Sequence, residues 1–167
     1  RDYDRAIAFK PKFAAAYAQR GVLHGNQGRI EESIRDLTQA IALDPKFAVA
    51  YAQRGILHGS QGRTEESIRD LTQALSINPK LPKAYYNRGL MNAKKGNVEE
   101  AMDDFNRTIS LDPEYDQAYV NRGVLYANQA RYEKAIADWE KAIALNCPQK
   151  NLMKEAVQRA KEKMGKK

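Results

Sequence analysis

The sequence predicts an all-α fold, a stack of antiparallel helix hairpins, and three observations carry that expectation. The first is a period of 34 residues, in which Ala16-Tyr17 returns as Ala50-Tyr51, Ala84-Tyr85 and Ala118-Tyr119. The second is punctuation: Arg-Gly follows each Tyr at Arg20-Gly21, Arg54-Gly55, Arg88-Gly89 and Arg122-Gly123, and Pro closes units at Pro11, Pro45, Pro79 and Pro113. The third is apolar spacing of three and four residues inside each unit, broken once by a turn signal. Such self-similarity marks units that bury an apolar face only against their neighbours, so burial accumulates one interface at a time.

Taken in order, Arg1 to Phe9 reads as a helix matching the second half of a unit whose first half is missing. The chain therefore reads as an excerpt, and its N-terminus is uninformative about targeting. Residues 82–115 then serve as the template for the four complete units. Tyr85, Tyr86, Leu90 and Ala93 recur at helical steps, Gly96-Asn97 interrupts, and Val98, Met102, Phe105, Ile109 and Leu111 resume the step before Asp112-Pro113. Glu99 and Glu100 favour the positive dipole end of the second helix, and Asp-Pro stops it. The last segment, 150–167, is a basic helix with seven Lys or Arg against Glu155 and Glu162, a net of +5 within a chain of formal charge +7.

Small residues set how closely paired helices approach. Gly21, Gly55, Gly89 and Gly123 fall mid-helix, at a cost of about 1 kcal/mol each relative to Ala. Ser33, Ser67, Ala101 and Ala135 recur in the facing helix, as do Ala40, Ala74, Thr108 and Ala142, which is what close helix contact requires. Leu37, Leu71, Phe105 and Trp139 stand beside them as bulky fillers. Trp139 reads as core, with a ligand platform as the alternative. Cys147 is the single cysteine, so it forms no internal disulfide and reads as a small buried thiol.

With its 34-residue period, helical hairpin, early aromatic, Gly four residues on and closing Pro, the chain resembles the tetratricopeptide repeat family. The resemblance covers all but the last eighteen residues: a half repeat 1–13, then repeats 14–47, 48–81, 82–115 and 116–149. Segment 150–167 is similar to the family's C-terminal capping helix, completing a single array. The resemblance implies an α-solenoid wound as a right-handed superhelix. Tyr replaces the family's usual Trp, Arg replaces the usual Leu before Gly, and Ala130 stands where other repeats carry Gly28, Gly62 and Gly96.

Each Arg-Gly has a counterpart in the second helix, at Asp36, Asp70, Asp104 and Asp138, with Asp2 in the half repeat. Arg20 and Asp36 are nearly equidistant from the turn, so antiparallel packing brings them level. The expectation is a ladder of partly buried Arg–Asp pairs rather than a row of Arg free for acidic ligands.

No catalytic constellation emerges. The Gly residues lie singly, never as a phosphate-cradling run, and the repeated Glu pairs belong to helix starts. His24 and His58 occupy equivalent positions one repeat apart, where Tyr126 stands in the last repeat, and no other His or Cys joins either. The expectation is a non-catalytic protein without metal or cofactor. No stretch approaches the roughly 20 apolar residues of a membrane-spanning helix.

What remains is a surface. In the resembled family the first helices line a concave groove, and the resemblance assigns its lining here. Inward positions include Ala18, Gln19, Val22, Ala52, Gln53, Ile56, Lys83, Tyr86, Asn87, Leu90, Lys94, Asn121, Val124 and Asn128. Gln19, Gln53, Asn87 and Asn121 share one repeat position, and each offers a donor and an acceptor to an extended chain whatever its sequence. The alternative is that these amides bridge neighbouring first helices or face water. A clamp for a terminal carboxylate is not expected, because Ala18, Val22, Ala52 and Ile56 stand where that subtype carries cationic or amide groups, and Asn87 and Lys83 match it only in part. Repeats 14–47 and 48–81 share 25 of 34 residues, which suits a partner met through low-specificity backbone contacts.

The expected partner is thus a protein or peptide segment held in the groove. Two other readings stand beside it: self-assembly through the open N-terminal face around Tyr3, Ile7 and Phe9, and contact of the basic terminal helix with acidic partners. Nucleic acid and membrane are disfavoured, since the capping helix of an array needs a charged outer face of some sign in any case.

Overall fold

The computed structural model describes residues 2–165; Arg1, Lys166 and Lys167, expected in the half repeat and the last helix, lie outside the described residues. Ten helices follow one another among the described residues: α1 (Asp2–Phe9), α2 (Ala14–Asn26), α3 (Ile30–Leu43), α4 (Ala48–Ser60), α5 (Thr64–Ile77), α6 (Pro82–Lys95), α7 (Val98–Leu111), α8 (Asp116–Asn128), α9 (Tyr132–Ala144) and α10 (Lys150–Met164). The architecture is the expected all-α stack of hairpins. First helices begin at Ala14, Ala48, Pro82 and Asp116, and second helices at Ile30, Thr64, Val98 and Tyr132, each set at a step of 34. Two compact units divide within α6, one running through Met91 and the other from Asn92 onward. No described helix is long and apolar enough to cross a membrane.

One device turns the chain between paired helices at every repeat. The N–H of Arg29 bonds to the carbonyl of His24 and that of Gly28 to Gly25. The same two bonds recur as Arg63 to His58 with Gly62 to Gly59, as Asn97 to Asn92 with Gly96 to Ala93, and as Arg131 to Tyr126 with Ala130 to Ala127. This six-to-one plus five-to-two pattern closes a helix through a left-handed residue. That residue is Gly28, Gly62 or Gly96 at φ of 75° to 84°, but Ala130 at 57°.

Second helices stop differently. The side chains of Asp44, Asn78 and Asp112 each accept the backbone N–H two residues on, at 2.9, 3.0 and 3.1 Å, forming the local turn these residues favour. The fourth repeat departs from this. Its second helix ends with Asn146 at a φ of 60°, and Cys147 N–H returns to the carbonyl of Ala142.

In the first unit, α2 packs on α3 and α4 on α5 through their small residues. A Cβ on Gly21 would lie 3.0 Å from Leu37 Cγ, tighter than most real contacts, and one on Gly55 would lie 2.9 Å from Leu71 Cγ, closer than real side chains approach. Ser33 Oγ donates to the Gly21 carbonyl at 2.6 Å across the same contact. Leu37, Ala40, Ala18 and Ala50 form one buried cluster, and Leu71, Ala74, Leu75, Ala52 and Ala84 the next.

The second unit is closed by α10. Met153, Val157 and Ala160 complete a cluster with Tyr119, Ile136, Trp139 and the buried Cys147. Trp139 is core, as expected, and takes the place of Leu37, Leu71 and Phe105 of the earlier repeats. A Cβ on Gly123 would fall 2.5 Å from its Nε1, which donates to the Val120 carbonyl at 3.2 Å.

Candidate functional site

The frame that positions the first helices is a series of bidentate ion pairs. Arg20 meets Asp36 through Nε to Oδ2 at 2.8 Å and Nη2 to Oδ1 at 2.7 Å. Arg54 meets Asp70 and Arg122 meets Asp138 in the same way, at 2.7 to 2.8 Å. The guanidinium fork matches the carboxylate, and these bonds hold all three Arg above their ordinary pKa against the opposing effect of burial. The sequence expectation of Arg–Asp pairing holds at these positions.

Two features of the frame escaped the sequence reading. The remaining nitrogen, Nη1, reaches the second helix of the preceding repeat: Arg20 to Asp4 at 2.8 Å, Arg54 to Thr38 at 3.0 Å and Arg88 to Thr72 at 3.2 Å in the first unit, and Arg122 to Asn106 at 2.7 Å in the second. The bond from Arg20 pulls the Asp4 carboxyl below its usual range. Each Arg thus ties its hairpin to the one before. The signal was present, since Asp4, Thr38, Thr72 and Asn106 are all acceptors spaced by 34. The same Arg also lie over Tyr17, Tyr51, Tyr85 and Tyr119, at 5.6 to 5.7 Å from the ring centroids.

The second missed feature is a neighbour for Asp36, Asp70 and Asp104. His24 Nδ1 lies 3.4 Å from Asp36 Oδ2 and His58 Nε2 lies 3.7 Å from Asp70 Oδ2, while Asn92 Nδ2 donates to Asp104 Oδ2 at 3.3 Å. His24, His58 and Asn92, which hold one repeat position, therefore face the Asp of their repeats, where the sequence reading described only helix packing. Burial lowers the pKa of His58. No group of three or more His, Cys, Asp or Glu among the described residues is arranged to hold a metal ion.

Of the amides, Gln19 is exposed and Gln53, Asn87 and Asn121 are half-buried. Asn87 Nδ2 donates to the Lys83 carbonyl at 2.7 Å and Asn121 Nδ2 to the Gln117 carbonyl at 2.8 Å, so each is braced against its own helix. Lys83, Lys94 and Asn128 are exposed, Val124 is 40% exposed, and Val22, Ile56 and Leu90 are half-buried. Ile56 leans on the cluster of Ala52, Leu71 and Ala84. Tyr86 is only 9% exposed and Ala18 and Ala52 are buried, so these inward positions serve packing between helices more than a surface.

Val124 and Asn128 also line a pocket of about 340 Å³ in the second unit, together with Trp139 and the α10 residues Arg159 and Lys163. The sequence reading did not foresee it.

Family models described as TPR repeat match residues 26–62 and 59–96, and models described as tetratricopeptide repeat match 82–115 and 117–146. No curated protein matches the sequence. Among solved structures, a crystal structure of MamA protein superposes with a TM-score of 0.82 at 24% identity, covering 91% of this chain and 82% of that one. A tetratricopeptide repeat protein from Parabacteroides merdae gives 0.76 at 21% identity, covering 90% and 60%. The first TPR of Spaghetti (RPAP3), bound to the HSP90 peptide SRMEEVD, gives 0.68 at 24% identity, covering 70% and 93%. At these identities the likeness is one of fold.

Proposed function

Because the chain belongs to the tetratricopeptide repeat family, a family of protein interaction modules, we propose that it is a non-catalytic scaffold that binds an extended peptide segment along its first helices. The observation that carries this reading is the repeated amide: Gln19, Gln53, Asn87 and Asn121 hold one repeat position, and none is buried. A buried amide would be spent on the core. A surface amide offers a donor and an acceptor to a passing backbone. The bonds from Asn87 and Asn121 to their own helices fix the rotamer in advance, which lowers the ordering cost of binding. Exposed Lys83, Lys94, Val124 and Asn128 and half-buried Val22, Ile56 and Leu90 supply the flanking contacts. The peptide-bound RPAP3 repeat domain supports the class of partner.

The test is calorimetric titration with extended peptides of varied sequence. Asn87→Ala and Asn121→Ala each weaken binding about fivefold, the equivalent of one net hydrogen bond of about 1 kcal/mol. Affinity unmoved by either substitution overturns the amide reading.

A second reading rests on the exposed aromatics of the N-terminal end, where Phe9 is 94% and Tyr3 37% exposed. It places self-assembly at this face, and sedimentation across a concentration series with Phe9→Ser decides it.

A further inference from the structure

The amides recognise backbone and so do not discriminate between peptides. Selectivity has to come from a place where the repeats stop being alike. That place lies in the second unit, where α10 packs beside α8 and α9 and leaves the pocket of about 340 Å³, within the size range of ligand sites. Its apolar wall is built by Val124, Ala127, Ala156, Ala160 and Trp139. The two charged residues that line it, Arg159 and Lys163, are both cations. Val124 and Asn128 stand three and seven residues beyond Asn121, so the amide and the pocket share one face of α8.

We infer that this pocket is a selectivity site that takes an apolar side chain of the bound peptide with a neighbouring Asp or Glu carboxylate against Arg159 and Lys163. The inference rests on the peptide-binding reading above and adds which peptides are chosen. Charge complementarity names the partner. Arg159 has Glu155 at 3.8 Å, but with the side chains 63% and 70% exposed that pair is weak and exchangeable. Lys163 Nζ lies over the ring of Tyr132, another lining residue, at 5.7 Å, which places the ammonium beside the pocket. Arg159 and Lys163 stand four residues apart on one face of α10, so both cations border the same pocket and a single acidic side chain of the peptide can meet them.

Trp139 is the only tryptophan of the chain and lines the pocket, so its fluorescence reports occupancy directly. The whole chain is titrated with end-blocked hexapeptides that carry Leu or Phe beside Glu, with the same peptides carrying Gln, and with unblocked versions of the Gln set. The expected result is that the Glu set shifts Trp139 emission and binds about tenfold tighter than the Gln set, a preference that salt weakens. Arg159→Gln with Lys163→Gln abolishes the preference, and Asn121→Ala weakens both sets alike. Both cations are exposed, so the double variant retains its packing, and circular dichroism checks this. Equal binding of the Glu and Gln sets, or a preference that survives the double substitution, overturns the pocket while leaving the amide reading in place. Tight binding confined to the unblocked set overturns the side-chain assignment in favour of a chain terminus. No binding by fluorescence or calorimetry overturns the pocket and the peptide-binding reading together.

Discussion

Arg54 and Asp70 meet through two parallel hydrogen bonds, Nε to Oδ2 at 2.7 Å and Nη2 to Oδ1 at 2.8 Å, with side chains only 18% and 8% exposed. The same guanidinium donates to Thr38 Oγ1 on the preceding hairpin and lies over the Tyr51 ring. One side chain thus joins both helices of its own repeat to the previous repeat. In a protein without a single central core, such a joint sets the strength of the interface between neighbours.

Removing the acid strands the base. Asp70→Asn leaves a partly buried guanidinium facing one poor acceptor, and the expected loss is about 2–3 kcal/mol, below the figure for a fully buried pair because Arg54 retains some solvent. Arg54→Lys is also destabilising, since a point charge cannot serve Asp70 and Thr38 together. Urea denaturation of each variant checks both, and unchanged midpoints would remove the pair from its structural role.

Close approach at Gly123 gives a second test. A methyl group there falls 2.5 Å from Trp139 Nε1, and the ring is held by its bond to the Val120 carbonyl. Gly123→Ala improves helix propensity by about 1 kcal/mol yet is expected to destabilise the protein by about 1–3 kcal/mol net, because overpacking displaces a large buried ring. The emission maximum of Trp139 moves in the same variant. A rise in thermal stability would contradict the packing described here.

The fourth hairpin carries a correctable strain. Ala130 sits at a φ of 57° where Gly28, Gly62 and Gly96 occupy the same turn at 75° to 84°. A left-handed Ala costs about 1 kcal/mol or more, so Ala130→Gly is expected to raise stability by about 0.5–1 kcal/mol after the added freedom of the unfolded chain is counted. The reciprocal Gly96→Ala loses a similar amount. Thermal unfolding of the two variants reads opposite signs.

The hairpins, their turns and the Arg–Asp pairs were legible because each is a local rule repeated at a fixed step. Gly96-Asn97 announced the turn, and nearly equal distances of Arg20 and Asp36 from their own turn announced the pair. What escaped notice depended on side-chain reach between elements. Thr38 is an unremarkable helix residue until Nη1 of Arg54 arrives at it. His58 and Asn92 look unrelated in sequence, yet each faces the Asp of its repeat. The pocket beside Trp139 was hidden for another reason: α10 is outside the repeat, so no period predicts how Arg159 and Lys163 will be placed. Groove positions 18 and 52 were assigned by the family resemblance, which does not say that two small Ala residues will be buried in packing between helices.

His58 gives the pH dependence a sign. Its imidazole is driven below its ordinary pKa first by burial, with Asp70 and Glu66 acting to raise it and Arg54 and Arg63 to lower it. A folded-state value below the unfolded one means that the unfolded chain takes up the proton more readily. The stability contributed by neutral His58 is therefore complete above pH 6.5 and is lost as the pH falls from there through the folded-state value. His58→Asn removes the titration while keeping a donor toward the acid, as Asn92 does toward Asp104. Between pH 7.5 and pH 5, the variant is expected to lose less stability than the parent chain in paired urea titrations. Equal losses in the two proteins would show that His58 does not contribute to the acid sensitivity.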